Sequence, residues 1–260
     1  MQISDYLDDI ARATGFLSRL PMPSRHFAEH DGSLSRASGM FAVAGLVIAL
    51  LPALVLWVLT LLDANAALTA IITLMILVGV TGALHEDGLA DSADAFGARG
   101  GREHMLEIMK DSRIGTYGVL ALMISFALRA IALTIILSVS GGWNTLLVML
   151  GVAAASRAAM IWHWNQLPPA RHNGVAASAG APEERANMLA LASGGIIFVA
   201  FVAVSSGLTA ALLALLVMVA ATSWWTSLAR TRLGGHTGDT IGATQQISET
   251  LGLTTLALLL

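Results

Sequence analysis

The chain has 260 residues, 56% of them hydrophobic and only 12% charged, with a formal net charge of −3 and a mean hydropathy of +0.74. Soluble domains are about a quarter charged, so this composition excludes an ordinary soluble protein and fits a polytopic helical membrane domain. Cysteine is absent, which excludes a disulfide framework, an iron–sulfur cluster and a thiolate zinc site.

The N-terminus is not a signal peptide, because acidic residues come early and no apolar core follows. Residues 3–20 place Ile3, Tyr6, Leu7, Ile10, Ala13, Phe16, Leu17 and Leu20 near helical period. Asp5, Asp8, Asp9, Arg12 and Arg19 fall on the other face. This predicts an amphipathic helix that lies at the membrane interface or packs on the bundle. Pro21 and Pro23 end it, and residues 24–38 follow as a polar loop with Arg25, His26, His30, Asp31 and Arg36.

Apolar runs then predict spans over 39–62 and 67–84, an acidic segment over 85–113, and spans over 114–139 and 143–164. Residues 165–187 are broken by Pro168, Pro169, Gly174, Gly180 and Pro182 and cannot cross. Spans over 188–204 and 208–229 follow. Residues 230–246 are polar and glycine-rich, and a last helix over 247–260 has only a short apolar part. The expected fold is an all-α polytopic transmembrane bundle of about six to seven spans. It forms one domain over 1–260 with an N-terminal interfacial helix. The pairs Trp162 with Trp164 and Trp224 with Trp225 read as interfacial anchors.

Twelve of the 14 basic residues fall in the N-terminal segment, 85–113, 165–187 and 230–246; the other two, Arg129 and Arg157, lie inside spans. The short loops at 63–66, 140–142 and 205–207 hold none. The positive-inside rule therefore places every long polar loop in the cytoplasm. Chemistry confined to one side suits an enzyme better than a transporter, which needs access from both.

Residues 85–113 hold seven of the 17 carboxylates. Asp87, Asp91 and Asp94 sit at i, i+4 and i+7, one helix face, where they repel one another unless a cation neutralises them. All-oxygen ligands suit Mg²⁺ or Mn²⁺; the bland reading is a solvated acidic face. His85 falls on a different face and can act as base or donor. Lys110 and Arg113 suit phosphate oxygens or, equally, lipid headgroups. Gly234 to Thr240 has the makings of a phosphate-cradling loop before a helix, with Asp239 as a metal ligand or base. Arg129 and Arg157 are expensive in a span and either bind substrate or form structural pairs. His26, His30, His104, His163 and His172 show no ligand spacing.

Residues 85–97, HEDGLADSADAFG, with LEIMKDSRIGTYG at 106–118, closely resemble the signature of the cobalamin synthase (adenosylcobinamide-GDP ribazoletransferase) family. FLSRLPMP at 16–23, SRAAM at 156–160 and LGGHTGDTIGATQQISE at 233–249 resemble its N-terminal, fourth-span and C-terminal motifs. The resemblance covers essentially the whole chain. It implies a bacterial inner-membrane enzyme that uses Mg²⁺. The substrates would be adenosylcobinamide-GDP and α-ribazole or its 5′-phosphate. The products would be GMP and adenosylcobalamin or its 5′-phosphate. It further implies Asp87, Asp91 and Asp94 as Mg²⁺ ligands, with Asp239 beside them, and His85 or Asp94 as general base. Lys110 and Arg113 would hold the departing GMP phosphate, which Gly235 and Gly238 let the backbone approach. Arg19, Arg99 and Arg157 are further substrate-contact candidates. The bilayer is the expected partner, a homo-oligomer is allowed, and no nucleic acid is expected.

Two other readings use the same features. A CDP-alcohol-type phospholipid phosphotransferase also has an aspartate-rich helix, but its Asp-Gly-x-x-Ala-Arg pattern breaks here at Asp91. A divalent-cation or corrinoid transporter would leave the one-sided charge unexplained.

Overall fold

A computed structural model describes residues 3–28, 32–111, 113–171 and 178–260. His30, Asp31, His172 and Gly174 lie outside them. The described residues are helical apart from turns and one isolated bridge between Pro169 and His236. The helices are α1 (Ile3–Leu17), α2 (Phe41–Leu61), α3 (Ala66–Thr81), α4 (Leu84–Gly97) and α5 (Arg102–Ile108), then Thr116–Gln166. Gly141, at φ 77° and ψ 169°, interrupts this last element. It is therefore two helices, α6 (116–140) and α7 (142–166). Helices α8 (Glu184–Ser206), α9 (Leu208–Leu233) and α10 (Gly238–Leu258) complete the chain.

Among the described residues four continuous elements are long and apolar enough to cross a bilayer, and a fifth if α3 and α4 count as one broken span. The 51-residue element supplies two of the crossings. Each half is roughly 37 Å of helix, more than the hydrocarbon core of about 30 Å. The halves run back against each other, because Arg129 on α6 and Arg157 on α7 reach the same carboxylate, Glu249. With the bent pair α3 and α4 counted as one broken span, the candidate crossings among the described residues number six, within the six to seven that the apolar runs predict.

Helix α10 is not apolar enough to face lipid. It lies inside the bundle, with Thr240, Thr244, Gln245, Gln246, Ser248, Glu249 and Thr250 all buried. Protein surrounds it, so its polar groups find partners that lipid would deny them. Helix α1 chooses between its two readings: Ala11, Ala13 and Leu17 are buried against the bundle, and so is Asp9, which accepts from Arg36 at 2.8 and 2.9 Å. Of the tryptophans, Trp224 is exposed as an anchor should be, but Trp164 and Trp225 are buried. Trp225 donates to the Thr240 carbonyl at 3.0 Å, and so ties α9 to the start of α10.

Close helix contact rests on small residues. A Cβ on Gly45 of α2 would stand 2.5 Å from the Ala153 carbonyl oxygen of α7. A Cβ on Gly79 of α3 would meet nothing within 4 Å. Gly45→Val is expected to destabilise the protein by about 1–3 kcal/mol, as overpacking does. Gly79→Ala should be neutral or stabilising by up to about 1 kcal/mol. Thermal unfolding of both variants in one detergent preparation checks the contrast.

Candidate active site

The site begins at the bend between α3 and α4. Gly82 and Ala83 are both left-handed, at φ 64° and 60°. That conformation costs a non-glycine residue about 1–2 kcal/mol. It turns α4 across the end of the bundle and lays it on the first turns of α10. Gly88 makes the approach feasible: a Cβ there would stand 2.7 Å from the Asp239 carbonyl oxygen and 3.2 Å from the Gly242 Cα. Its first task is therefore helix contact.

The start of α10 is fixed from the other side. Thr237 and Thr240 form a reciprocal cap, with Thr237 N–H donating to the Thr240 hydroxyl at 2.9 Å and Thr240 N–H to the Thr237 hydroxyl at 3.2 Å. His236 pairs with the 168–170 segment, donating to Pro168 O at 2.9 Å and accepting from Ala170 N at 2.8 Å. Arg102 clamps both strands of this bracket, its Nε on Leu233 O and its Nη2 on Ala170 O, both at 2.7 Å.

Between α4 and α10 lies a cavity of about 250 Å³. His85, Asp87, Gly88, Gly238, Asp239 and Gly242 form its polar side, and Phe16, Leu17 and Trp164 are among its apolar lining. The acidic stretch and the glycine-rich loop, some 150 residues apart in sequence, thus share one space. His85 is buried, and its Nε2 has no hydrogen-bond partner. The first turn of α10 presents Gly238 with open space around its Cα, where backbone N–H groups favour an anion.

The carboxylates here are electrostatically coupled. Burial, then the charges of Asp87, Asp239 and Asp94, push Asp91 up to about 6, against a smaller opposing effect of Arg171. Burial also raises Asp239, while Arg171 and a hydrogen bond from Thr237 oppose it. Arg171 Nη2 stands 3.1 Å from Asp239 Oδ2.

The structure assigns several predicted residues elsewhere. Asp94, expected as metal ligand or base, accepts from Gly115 N at 2.7 Å and Gly118 N at 2.8 Å, one on each oxygen. It anchors the start of α6, so both its oxygens are occupied although it shares a face with Asp87 and Asp91. Among the described residues no three carboxylate or imidazole groups form a ready metal cage. Arg113 is exposed and pairs with Asp111 at 2.6 Å, and Lys110 and Arg99 are exposed. Gly235 is packed against Pro168 and Ala170 and is closed to a ligand, unlike Gly238. Arg19 lies over Gly82 at the bend, beside the cavity and outside its lining.

Arg157 is 1% exposed and is paired inside the bundle. Its Nη1 donates to Glu249 Oε2 at 3.0 Å, and Arg129 reaches Glu249 Oε1 at 3.1 Å and Glu86 Oε1 at 3.3 Å. Gln245 and Gln246 add donors to Glu249 and Glu86. Two positive and two negative groups neutralise one another inside the bundle. Glu86 and Glu249 escaped the sequence argument, although two arginines in spans require nearby carboxylates and these could have been sought.

The sequence profile of cobalamin-5-phosphate synthase matches residues 9–257. The chain belongs to this family. It is an enzyme, a transferase of cobalamin biosynthesis. Adenosylcobinamide-GDP ribazoletransferase of Sinorhizobium medicae strain WSM419 is 50% identical over 258 residues, covering 99% of this chain and 98% of that protein. The protein of the same name from Rhizobium johnstonii is 49% identical over 257 residues and covers 99% of each chain. That of Brucella ovis is 37% identical over 260 residues and covers all of both. No solved structure matches. Membership of the synthase family sets aside the phospholipid-synthase and transporter readings.

Two outcomes follow from the charges. Removing Glu249 leaves two buried guanidinium groups uncompensated, so Glu249→Ala should lose about 3–5 kcal/mol and yield little folded protein, measured as monodisperse material after detergent extraction. Asp91 takes up its proton at higher pH in the folded protein than its ordinary value of 3.8. In chelator, its stabilising contribution is then complete below about pH 4 and fades as pH rises through about 6. The melting temperature should fall across that window, and less steeply in Asp91→Asn.

Proposed function

We propose that this protein closes the nucleotide loop of adenosylcobalamin, joining α-ribazole or its 5′-phosphate to adenosylcobinamide-GDP at the cytoplasmic face of a bacterial inner membrane. The observation that carries the reading is the cavity that unites His85 and Asp87 with Gly238 and Asp239 in a member of the synthase family. The α-ribazole 3′-hydroxyl oxygen forms a bond to the cobinamide-linked phosphorus. The bridging P–O bond breaks, GMP departs, and the hydroxyl proton passes to a base.

His85 is the base in this reading. Its buried Nε2 lacks a partner, whereas both oxygens of Asp94 are occupied. Amides at the start of α10 favour the phosphate oxygens. Leu17, Phe16 and Trp164 supply apolar surface for the organic part of a substrate.

The donor set also suits Mg²⁺. Asp87, Asp91 and Asp239 offer oxygen donors only, and burial together with their mutual repulsion raises Asp91. Mg²⁺ keeps several waters and needs only one or two carboxylates plus substrate phosphates, so a ready three-ligand cage is not required. Asp87, Asp91 and Asp239 would hold it. When bound it supplies charge neutralisation on the diphosphate. The one-sided distribution of basic residues supports a cytoplasmic site.

The test is GMP release by the protein in nanodiscs given adenosylcobinamide-GDP, α-ribazole and Mg²⁺. GMP and the cobalamin product should appear one to one. His85→Gln should lower kcat by about 10²–10⁴-fold with the fold retained, as loss of a general base does. Full turnover in that variant would move the base elsewhere, and no product from folded wild type would overturn the reading.

A further inference from the structure

The departing nucleotide needs a cation for its phosphate, and the cations predicted from sequence do not face the cavity. Lys110, Arg99 and Arg113 are exposed, Arg19 is exposed over Gly82 and outside the cavity lining, and Arg157 is committed to Glu249. Among the described residues, Arg171 is the basic side chain that bonds a carboxylate of the cavity wall. It was not singled out in the sequence, because it stands in a proline-broken loop with no motif around it.

Three observations give Arg171 a defined position. It pairs with Asp239 at 3.1 Å, with both side chains largely shielded, at 19% and 24% exposure. It follows directly on the Pro168–Ala170 strand of the bracket, which His236 and Arg102 hold by three hydrogen bonds of 2.7 to 2.9 Å. Asp239 lies in the first turn of α10 beside Gly238, where the backbone is open to an anion. A guanidinium so placed faces a carboxylate and an anion-favouring helix end together.

Resting on the phosphotransfer reading above, we propose that Arg171 is a substrate-phosphate ligand held in reserve on Asp239. On substrate binding the guanidinium leaves Asp239 for the phosphate oxygens of the nucleotide, and Asp239 is freed to take a divalent cation. The exchange keeps every charge paired: the planar fork that fits a carboxylate fits a phosphate equally. Without nucleotide, Arg171 competes with the metal for Asp239. With nucleotide, it adds to the binding of the phosphate.

These two roles have opposite signs, and a merely structural role has one. The full-length protein in nanodiscs is titrated with Mn²⁺ alone, read by electron paramagnetic resonance, and with GMP at saturating Mg²⁺. Arg171→Ala should bind Mn²⁺ several-fold more tightly and GMP about tenfold or more weakly, the loss of one charge-assisted contact. Arg171→Lys should recover part of the GMP affinity. Arg185→Ala, the same charge change on an exposed residue of α8, should shift neither. Unchanged GMP affinity in Arg171→Ala, or weakening of both ligands together, would overturn the assignment. Wild type that takes up Mn²⁺ but no GMP would overturn the phosphotransfer reading itself, and the role of Arg171 with it.

Discussion

The structure depends on neutralising two arginines inside a bilayer. Arg129 and Arg157 are each 1% exposed, on two helices that run back to back from Gly141. Neither charge is tolerable in that setting alone. Glu249 answers both and Glu86 answers Arg129. Because the two carboxylates come from α10 and α4, neutralisation draws those helices against α6 and α7. A helix too polar for lipid thereby becomes the axis of the bundle. A buried ion network of this kind is weak evidence for high stability, since its desolvation offsets much of its attraction. Its effect is to allow one arrangement of four helices and penalise others.

That arrangement builds the site. Glu86, anchored to Arg129, is next to His85 and Asp87, so the network that fixes α4 also fixes the polar wall of the cavity. Glu249 fixes the middle of the helix whose first turn carries Gly238 and Asp239. The strained Ala83 and the close pass at Gly88 belong to the same construction. Both bring α4 nearer to α10 than ordinary side chains would permit. Burial, together with the carboxylates brought close in this way, raises Asp91.

Aspartates spaced along one helix face were legible as a cluster, but not their division of labour. Asp94 shares a face with Asp87 and Asp91, yet the start of α6 comes within reach and its amides take both oxygens. Gly235 and Gly238 looked alike in a glycine-rich run. One is pressed against Pro168 and the other is open. Arg171 had no motif to mark it, because its significance lies in a pairing across 68 residues.

The sequence by itself determined the membrane class, the apolar runs, the clustering of basic residues in alternate loops and, through four motifs in order, the family. These follow from properties that are local along the chain: hydropathy over a bilayer's thickness, charge in short loops, and fixed residue order. The tertiary structure alone decided which carboxylates meet which arginines, that α10 runs through protein and not lipid, and which of the many polar residues share the cavity. Those outcomes turn on distances between segments distant in sequence. In a medium without water, a buried charge is satisfied only by the partner that the fold brings to it.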